Sequence, residues 1–382
     1  MKKVLQIVDY VFPGISGIGE TAMDIANTLK IQKYCQKIIC INSDANRGGL
    51  VTKHEKNSVD KVKGVDIIRC RMDLHIASQP ISFSYIYFLN KIMKEFKPDI
   101  VIFHYPNPFL AEFMLHYKKD IFKLIIWWHS DIIKQKILGK FFIKQNLELL
   151  KRASKVVATS PNYINGSKYL KKFEEKCVVL PSCVREDELV ISNKIIERAN
   201  EIKPKGKIMC FSLGRHVKYK GFEYLIEAAK RLDDRFVFYI GGTGPLSLKL
   251  KELANGDSRF HFTGYLEDDE LQAFYYATDI FCFPSITKNE AFGLALADAM
   301  YYGKAAVTFH IDGSGVGFVN LDGVTGIECE NKNVEQYAKA LEKLANDEVL
   351  RNKMGENGHE RVMNNFSYSV FKKNIKKLFE SI

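Results

Sequence analysis

The chain opens the same way twice. Residues 3–9 (KVLQIVD) form an apolar run followed by a glycine-bearing loop and a helical pattern over 20–29, and residues 207–213 (KIMCFSL) lead through a second loop to a helical pattern over 222–232. Each is the opening of a strand-loop-helix unit whose strand is covered on both faces. Further apolar runs lie at 35–42, 65–70, 100–104, 123–128, 156–159 and 177–180, then at 236–241, 259–263, 280–283 and 305–309, with helical runs between most of them. That alternation predicts an α/β chain of two Rossmann-like, doubly wound domains facing a central cleft at the carboxyl ends of their strands. The charged stretch after Pro181 sets the expected boundaries: an N-terminal domain over 1–190, a C-terminal domain over 191–365, and a last helix over 366–382 that packs back on the N-terminal domain.

Charge separates the two halves. Lysine plus arginine number 56 against 45 acidic residues in the 382-residue chain, and residues 1–190 hold 30 of the basic and 19 of the acidic ones, leaving 26 of each for the rest. The surplus points the first half toward an anionic surface: nucleic acid, acidic lipid or a phosphorylated ligand. Apolar runs such as 4–8 and 124–128 fall far short of the roughly 20 residues that span a bilayer, and the N-terminus lacks the apolar core of a secretory signal. A cytosolic chain that does not cross the membrane is expected. Its eight cysteines form no C-x-x-C pair, so neither disulfides nor a zinc site are expected.

Three loops carry chemistry. The first reads Pro13-Gly14-Ile15-Ser16-Gly17-Ile18-Gly19-Glu20, where Gly17 and Gly19 let a ligand approach the backbone and the following helix start favours an anion. Ala22 stands where a dinucleotide fingerprint has its third glycine, and Asp44 follows at the distance of a ribose-binding acid, so a nicotinamide cofactor stays open here. The second loop, Gly214-Arg215-His216-Val217-Lys218-Tyr219-Lys220-Gly221, sets two cations beyond a strand end, a site for a diphosphate or else a solvated basic loop. Gly242 and Gly244 make a flexible turn after the next strand. The third segment, 283–300, presents Glu290 before Ala291, Phe292, Gly293 and Leu294, whose amides can meet phosphate oxygens. Asp298 lies eight residues beyond Glu290, a little over two helical turns, which would face both carboxylates to one ligand.

Taken in order, these marks resemble the GT-B retaining glycosyltransferases of family 4. The likeness runs through Gly-Ile-Gly at 17–19, His129 after a strand, Pro-x-x-Val at 181–184, Gly-Arg…Lys-Gly at 214–221, Gly-x-Gly-Pro at 242–245, Phe-x-Gly at 262–264 and Glu-Ala-Phe-Gly-Leu at 290–294. The resemblance implies a hexosyl transfer from a nucleotide-diphosphate sugar to a glycan, with retention and without a metal or other cofactor. It gives catalytic roles to His129, Arg215, Lys220 and Glu290, and donor contacts to Gly17, Gly19, Gly214, Gly242, Gly244, residues 291–294 and Asp298. His104, at the end of the run 100–103, is a candidate for acceptor contacts. Three departures stand out: Ser16 where many relatives have glycine, Cys183 for the glycine before Val184, and Asp298 for a glutamate, one methylene shorter.

The similarity to bacterial surface-polysaccharide enzymes, carried by residues 312–320 and 323–326, implies GDP-mannose as donor, with UDP-hexoses close behind. Apolar Ile133, Ile137 and Phe141 beside Lys136, Lys140 and Lys144, with the aromatic run 83–88, fit a peripheral position on the anionic inner leaflet and a lipid-linked acceptor. No nucleic-acid reading module is recognisable. A nucleotide-sugar epimerase of the same fold, a nicotinamide-dependent oxidoreductase and a non-catalytic nucleotide-binding partner are the alternatives.

Overall fold

The computed structural model describes residues 1–11, 17–45, 51–53, 56–76, 79–118, 121–132 and 139–382. Two compact units divide it: one runs from the N-terminus to Leu180 and includes Lys372–Ile382, and the other holds Pro181–Phe371.

In the first unit the strands are β1 (Lys3–Ile7), β2 (Cys35–Ala45), β3 (Val51–Lys53), β4 (Ser58–Val62), β5 (Val65–Arg71), β6 (Leu74–Ile76), β7 (Gln79–Ile81), β8 (Ile100–Tyr105), β9 (Lys123–Trp128), β10 (Lys155–Ala158) and β11 (Cys177–Val179). The main sheet has the order β11-β10-β9-β8-β1-β2-β5-β4, with β3 paired to β2 and a separate β6-β7 ribbon. From β11 to β5 the pairs are parallel, and only β4 and β3 join antiparallel. Parallel strands must be covered on both faces, which is why β8 is buried along its whole length.

The second unit has β12 (Ile208–Leu213), β13 (Phe236–Gly241), β14 (Phe260–Gly264), β15 (Ile280–Phe283), β16 (Ala305–Phe309) and β17 (Gly326–Cys329), all parallel, in the order β14-β13-β12-β15-β16-β17. Side chains alternate across this sheet. Met209 and Phe211 join the core with Phe281, Leu296 and Met300, whereas Cys210 joins that with Phe238, Leu225 and Leu341.

Both strand orders reverse at one point, between β1 and β8 in the first unit and between β12 and β15 in the second. Open α/β sheets bind ligands at the carboxyl ends of the strands at such a switch point. The division at Leu180 comes ten residues before the expected 190. The cause is a backbone pairing: Val184 N donates to Phe366 O (2.8 Å) and Tyr368 N to Val184 O (3.0 Å), while Glu186 accepts from the amides of Tyr368 and Ser369. The last helix, Tyr368–Glu380, starts there and ends in the first unit, where Phe379 meets Tyr34 edge to face at 5.3 Å.

Candidate active site

In the second unit the sequence-predicted Lys220 and Glu290 meet at the switch point, with Arg215 on the same loop as Lys220. Arg215 and Lys220 follow β12, and Glu290 follows β15, its neighbour in the sheet. Gly221 makes the approach possible. Its φ is +64°, and a Cβ there would lie 2.1 Å from the Pro284 carbonyl oxygen, so only glycine lets the two loops touch. Ile286 N then donates to Tyr219 O (2.9 Å). The Lys220 ammonium consequently lies 2.5 Å from Glu290 Oε2 and 5.0 Å from the centre of the Phe283 ring. Burial is the largest single influence and lowers this ammonium, but the charge and hydrogen bond of Glu290 together with Tyr219 hold Lys220 above its ordinary pKa.

Glu290 divides its two oxygens. Oε2 accepts from Lys220 and from the Ser285 hydroxyl (3.1 Å), while Oε1 has no hydrogen-bond partner among the described residues. The loop is braced from behind, where the Ser314 hydroxyl donates to the Glu290 carbonyl and a Cβ on Gly315 would stand 2.2 Å from the Ala291 carbonyl oxygen. Arg215 differs from Lys220. It is exposed, and its guanidinium has neither ion pair nor hydrogen bond among the described residues.

Gly214, Gly242 and Gly244 serve close packing. Gly242 has φ +101°, and a Cβ on it would lie 2.1 Å from the Gly214 carbonyl oxygen; a Cβ on Gly244 would lie 2.6 Å from that of His216. The loops after β12 and β13 are thus pressed together, with His216 N donating to Thr243 O (2.9 Å).

The helical spacing expected for Glu290 and Asp298 is not what forms. Gly293, at φ +94°, caps a helix that begins only at Leu294, so Glu290 sits in the preceding turn and Asp298 alone is helical. No side chain caps that helix, which leaves its first amides to an outside acceptor. Asp298 is half-buried beside two tyrosines: next to burial itself, its charge is the largest influence raising Tyr275, and it also acts on Tyr302.

In the first unit, Gly17 and Gly19 belong to the first turn of the helix Gly17–Ile31, three residues earlier than the expected start, and Pro13 to Ser16 lie outside the described residues. His129 is half-buried just beyond β9, its amide bonded to the Tyr105 carbonyl (3.0 Å). The expected acceptor role of His104 requires correction. Its ring is buried, Nδ1 lies 3.0 Å from His129 Nε2 and Nε2 lies 3.0 Å from Gln6 Oε1, so both nitrogens are already engaged. Burial holds His104 well below the ordinary histidine value and pushes His129 down to about 3.

Residues that the motifs did not single out also take part, Ser285 and Ser314 beside Glu290 in the second unit and Gln6 and Asp9 in the first. Asp9 follows β1 and accepts a 2.5 Å hydrogen bond from Asn107 Nδ2. Burial pushes its carboxyl up to about 6, against the lowering effect of that bond. A carboxyl raised on folding favours the native state while protonated. That contribution is complete below the unfolded value near 3.8 and is lost as the pH climbs through about 6. Asp9→Asn is therefore expected to melt above wild type at pH 7, by about 2 kcal/mol, and level with it at pH 4. Circular-dichroism melts at the two pH values check this; an equal difference at both would refute it.

The chain is similar to known proteins along most of its length. Glycosyltransferase Family 4 matches residues 15–188 and Glycosyl transferases group 1 matches residues 193–361. The O-antigen chain mannosyltransferase C of Escherichia coli is 30% identical over 288 residues, 75% of this chain and 76% of that protein. The chain belongs to the family 4 glycosyltransferases. Within that family the D-rhamnosyltransferase WbpZ of Pseudomonas aeruginosa is 29% identical to this transferase, over 77% of the chain and 76% of the relative. Among solved structures, Anabaena HepE in complex with UDP and glucose superposes with a TM-score of 0.76 at 14% identity, each chain covered in full (100%), and so shares the GT-B fold. The two Rossmann-like units of this transferase are those of that fold.

The membrane features divide. Residues 133–138 of the expected stripe lie outside the described residues, which leaves Ile133, Lys136 and Ile137 without a structural account, as are the side chains of Lys140 and Phe141. The aromatic run opens the helix Phe83–Glu95: Tyr85 is buried with its hydroxyl on the Ile39 carbonyl (2.8 Å), whereas Phe83 and Tyr87 are exposed. Among the described residues no helix is long and apolar enough to cross a membrane.

Proposed function

We propose that this glycosyltransferase moves a hexosyl residue, mannose from GDP-mannose, to a lipid-linked glycan in bacterial surface-polysaccharide synthesis, with retention at the anomeric carbon and no bound metal. The observation that carries the donor reading is the combination of a neutralised Lys220–Glu290 couple with Arg215, which has no partner among the described residues. A diphosphate brought there meets two cations and the uncapped helix start at Leu294, and Glu290 Oε1 accepts a sugar hydroxyl.

As the glycosidic bond breaks, negative charge grows on the departing phosphate, and Arg215 and Lys220 offset it in place of a divalent ion. The acceptor hydroxyl attacks from the face the phosphate leaves and passes its proton to that phosphate, which preserves the configuration. His129 offers a ring nitrogen to a sugar hydroxyl. In this reading Asp298 accepts from the ribose hydroxyls. The names of the E. coli and P. aeruginosa relatives, a mannosyltransferase and a D-rhamnosyltransferase, support a manno-configured donor. The basic surplus of the first half and the exposed Phe83 and Tyr87 support an acceptor held at the cytoplasmic face of the membrane.

Melting curves with GDP, UDP, ADP and their hexose forms test the donor, since a ligand at a hundred times its Kd stabilises by about 2.7 kcal/mol. GDP and GDP-mannose are expected to give the largest shifts, and GDP-mannose with a lipid-diphosphate glycan is expected to give product retaining the α configuration. No shift with any nucleotide would sink the donor site. Preference for UDP would overturn the donor, and turnover of donor without acceptor would point to an epimerase.

A further inference from the structure

Gln6 is the fourth residue of β1 and has no exposed surface, a polar side chain in an apolar strand. Its amide is placed by both ends. Nε2 donates to the Ala22 carbonyl of the helix Gly17–Ile31 (3.0 Å), and Oε1 faces His104 Nε2 (3.0 Å). Turning the amide over would set Oε1 against the Ala22 oxygen, two acceptors in contact. The amide therefore offers His104 only an acceptor.

A neutral imidazole carries one N–H and one lone pair, so each link dictates the next. His104 must carry its proton on Nε2 to satisfy Gln6, which leaves Nδ1 as a lone pair. His129 Nε2, 3.0 Å away, must then carry the proton and donate it. The remaining nitrogen of His129, Nδ1, holds a lone pair and has no partner among the described residues. The reverse sequence of protons would oppose the His104 Nε2 lone pair to Gln6 Oε1 in the interior. The two rings lie nearly parallel, 15° apart with their centres 5.3 Å from each other, as a hydrogen bond in the ring plane requires, and the Trp127 ring centre lies 6.2 Å from that of His104.

We propose that Gln6 and His104 are positioning residues that fix His129 in its Nε2–H tautomer, so that Nδ1 meets the ligand as a hydrogen-bond acceptor and never as a donor. The partner at Nδ1 is thus a hydroxyl, as on a sugar, and not a phosphate oxygen, which would need a donor. The identity of that hydroxyl rests on the transferase reading above; the tautomer does not.

The full chain labelled with 15N at histidine, with His129→Gln for assignment, separates the two ideas. Wild type without ligand is expected to show a protonated Nε2 and an unprotonated Nδ1 at His129 from pH 6 to 8. A protonated Nδ1 there would overturn the proposal whatever the enzyme does. Gln6→Met keeps the volume but removes the acceptor, so His104 and His129 are expected to move toward the Nδ1–H form; an unchanged His129 spectrum in a folded Gln6→Met protein would also overturn it.

The functional arm uses GDP-mannose and its monodeoxy analogues. In wild type one analogue is expected to fall about tenfold in kcat/KM against GDP-mannose, the worth of one hydrogen bond, and in His129→Phe that difference is expected to disappear. If the tautomer is as stated but no nucleotide sugar is turned over, the donor reading fails and the positioning role stands. If every monodeoxy donor keeps the same ratio in wild type and His129→Phe, Nδ1 accepts from no sugar hydroxyl.

Discussion

Lys220→Ala is expected to lower transfer from GDP-mannose by about a thousandfold and to destabilise the second unit by about 2 to 3 kcal/mol at once. Both effects come from one atom. The ammonium offsets charge on the leaving diphosphate, and in the resting protein it neutralises Glu290, whose side chain is only 11% exposed. Truncation leaves that carboxylate with Ser285 and little water, an uncompensated charge near the interior. The folded ammonium titrates above its ordinary value, so the pair is intact throughout the neutral range and its loss is the same at pH 6 and pH 8. Structural and catalytic parts separate in the double variant Lys220→Met, Glu290→Gln, where no charge is stranded. Stability is expected to return toward wild type while turnover stays lost. Near-normal turnover in Lys220→Ala, or a double variant less stable than either single, would refute the account.

How far the sequence reveals this site depends on how local each contact is. Strand ends and glycine turns are local, so the loops after β12 and β15 are visible as Gly214-Arg215…Lys220-Gly221 and Glu290-Ala-Phe-Gly-Leu. Their meeting is not local, and becomes foreseeable only once both are placed at the carboxyl ends of neighbouring strands. The Glu290 and Asp298 pair shows the opposite failure. Counting helical turns between them assumes one helix, but Gly293 at a positive φ ends the turn that holds Glu290 before the helix begins. A glycine there signals the break, although the same residue also starts many helices.

Gln6 shows the limit. In KVLQI it reads as one polar residue in an apolar strand, and its meaning depends on His104, 98 positions away. His104 itself reads as a candidate for acceptor contacts because it ends a strand, yet a second histidine, after the adjacent strand β9, occupies its outer nitrogen. Register between β8 and β9 decides which of the two faces outward. Periodicity within either strand cannot report it.

Arg215 makes the second large prediction, and the contrast with Lys220 gives it force. Its guanidinium is exposed and unpartnered among the described residues, so it contributes little to the fold and is free for a ligand. Arg215→Ala is expected to cut kcat/KM for GDP-mannose by about a hundredfold, the loss of a charge-assisted, two-pronged contact to the diphosphate, while the melting temperature without ligand does not move. The stabilisation that GDP gives to wild type is expected to shrink in the same variant. Arg215→Lys keeps the charge but not the planar fork and is expected to recover only part of the activity. These outcomes are separable in one pair of measurements, unliganded melting and GDP-induced shift. A variant that melts early without ligand would show that Arg215 has a structural partner. One that melts normally and keeps the full GDP shift would remove Arg215 from the donor site and leave Lys220 as the cation that meets the diphosphate.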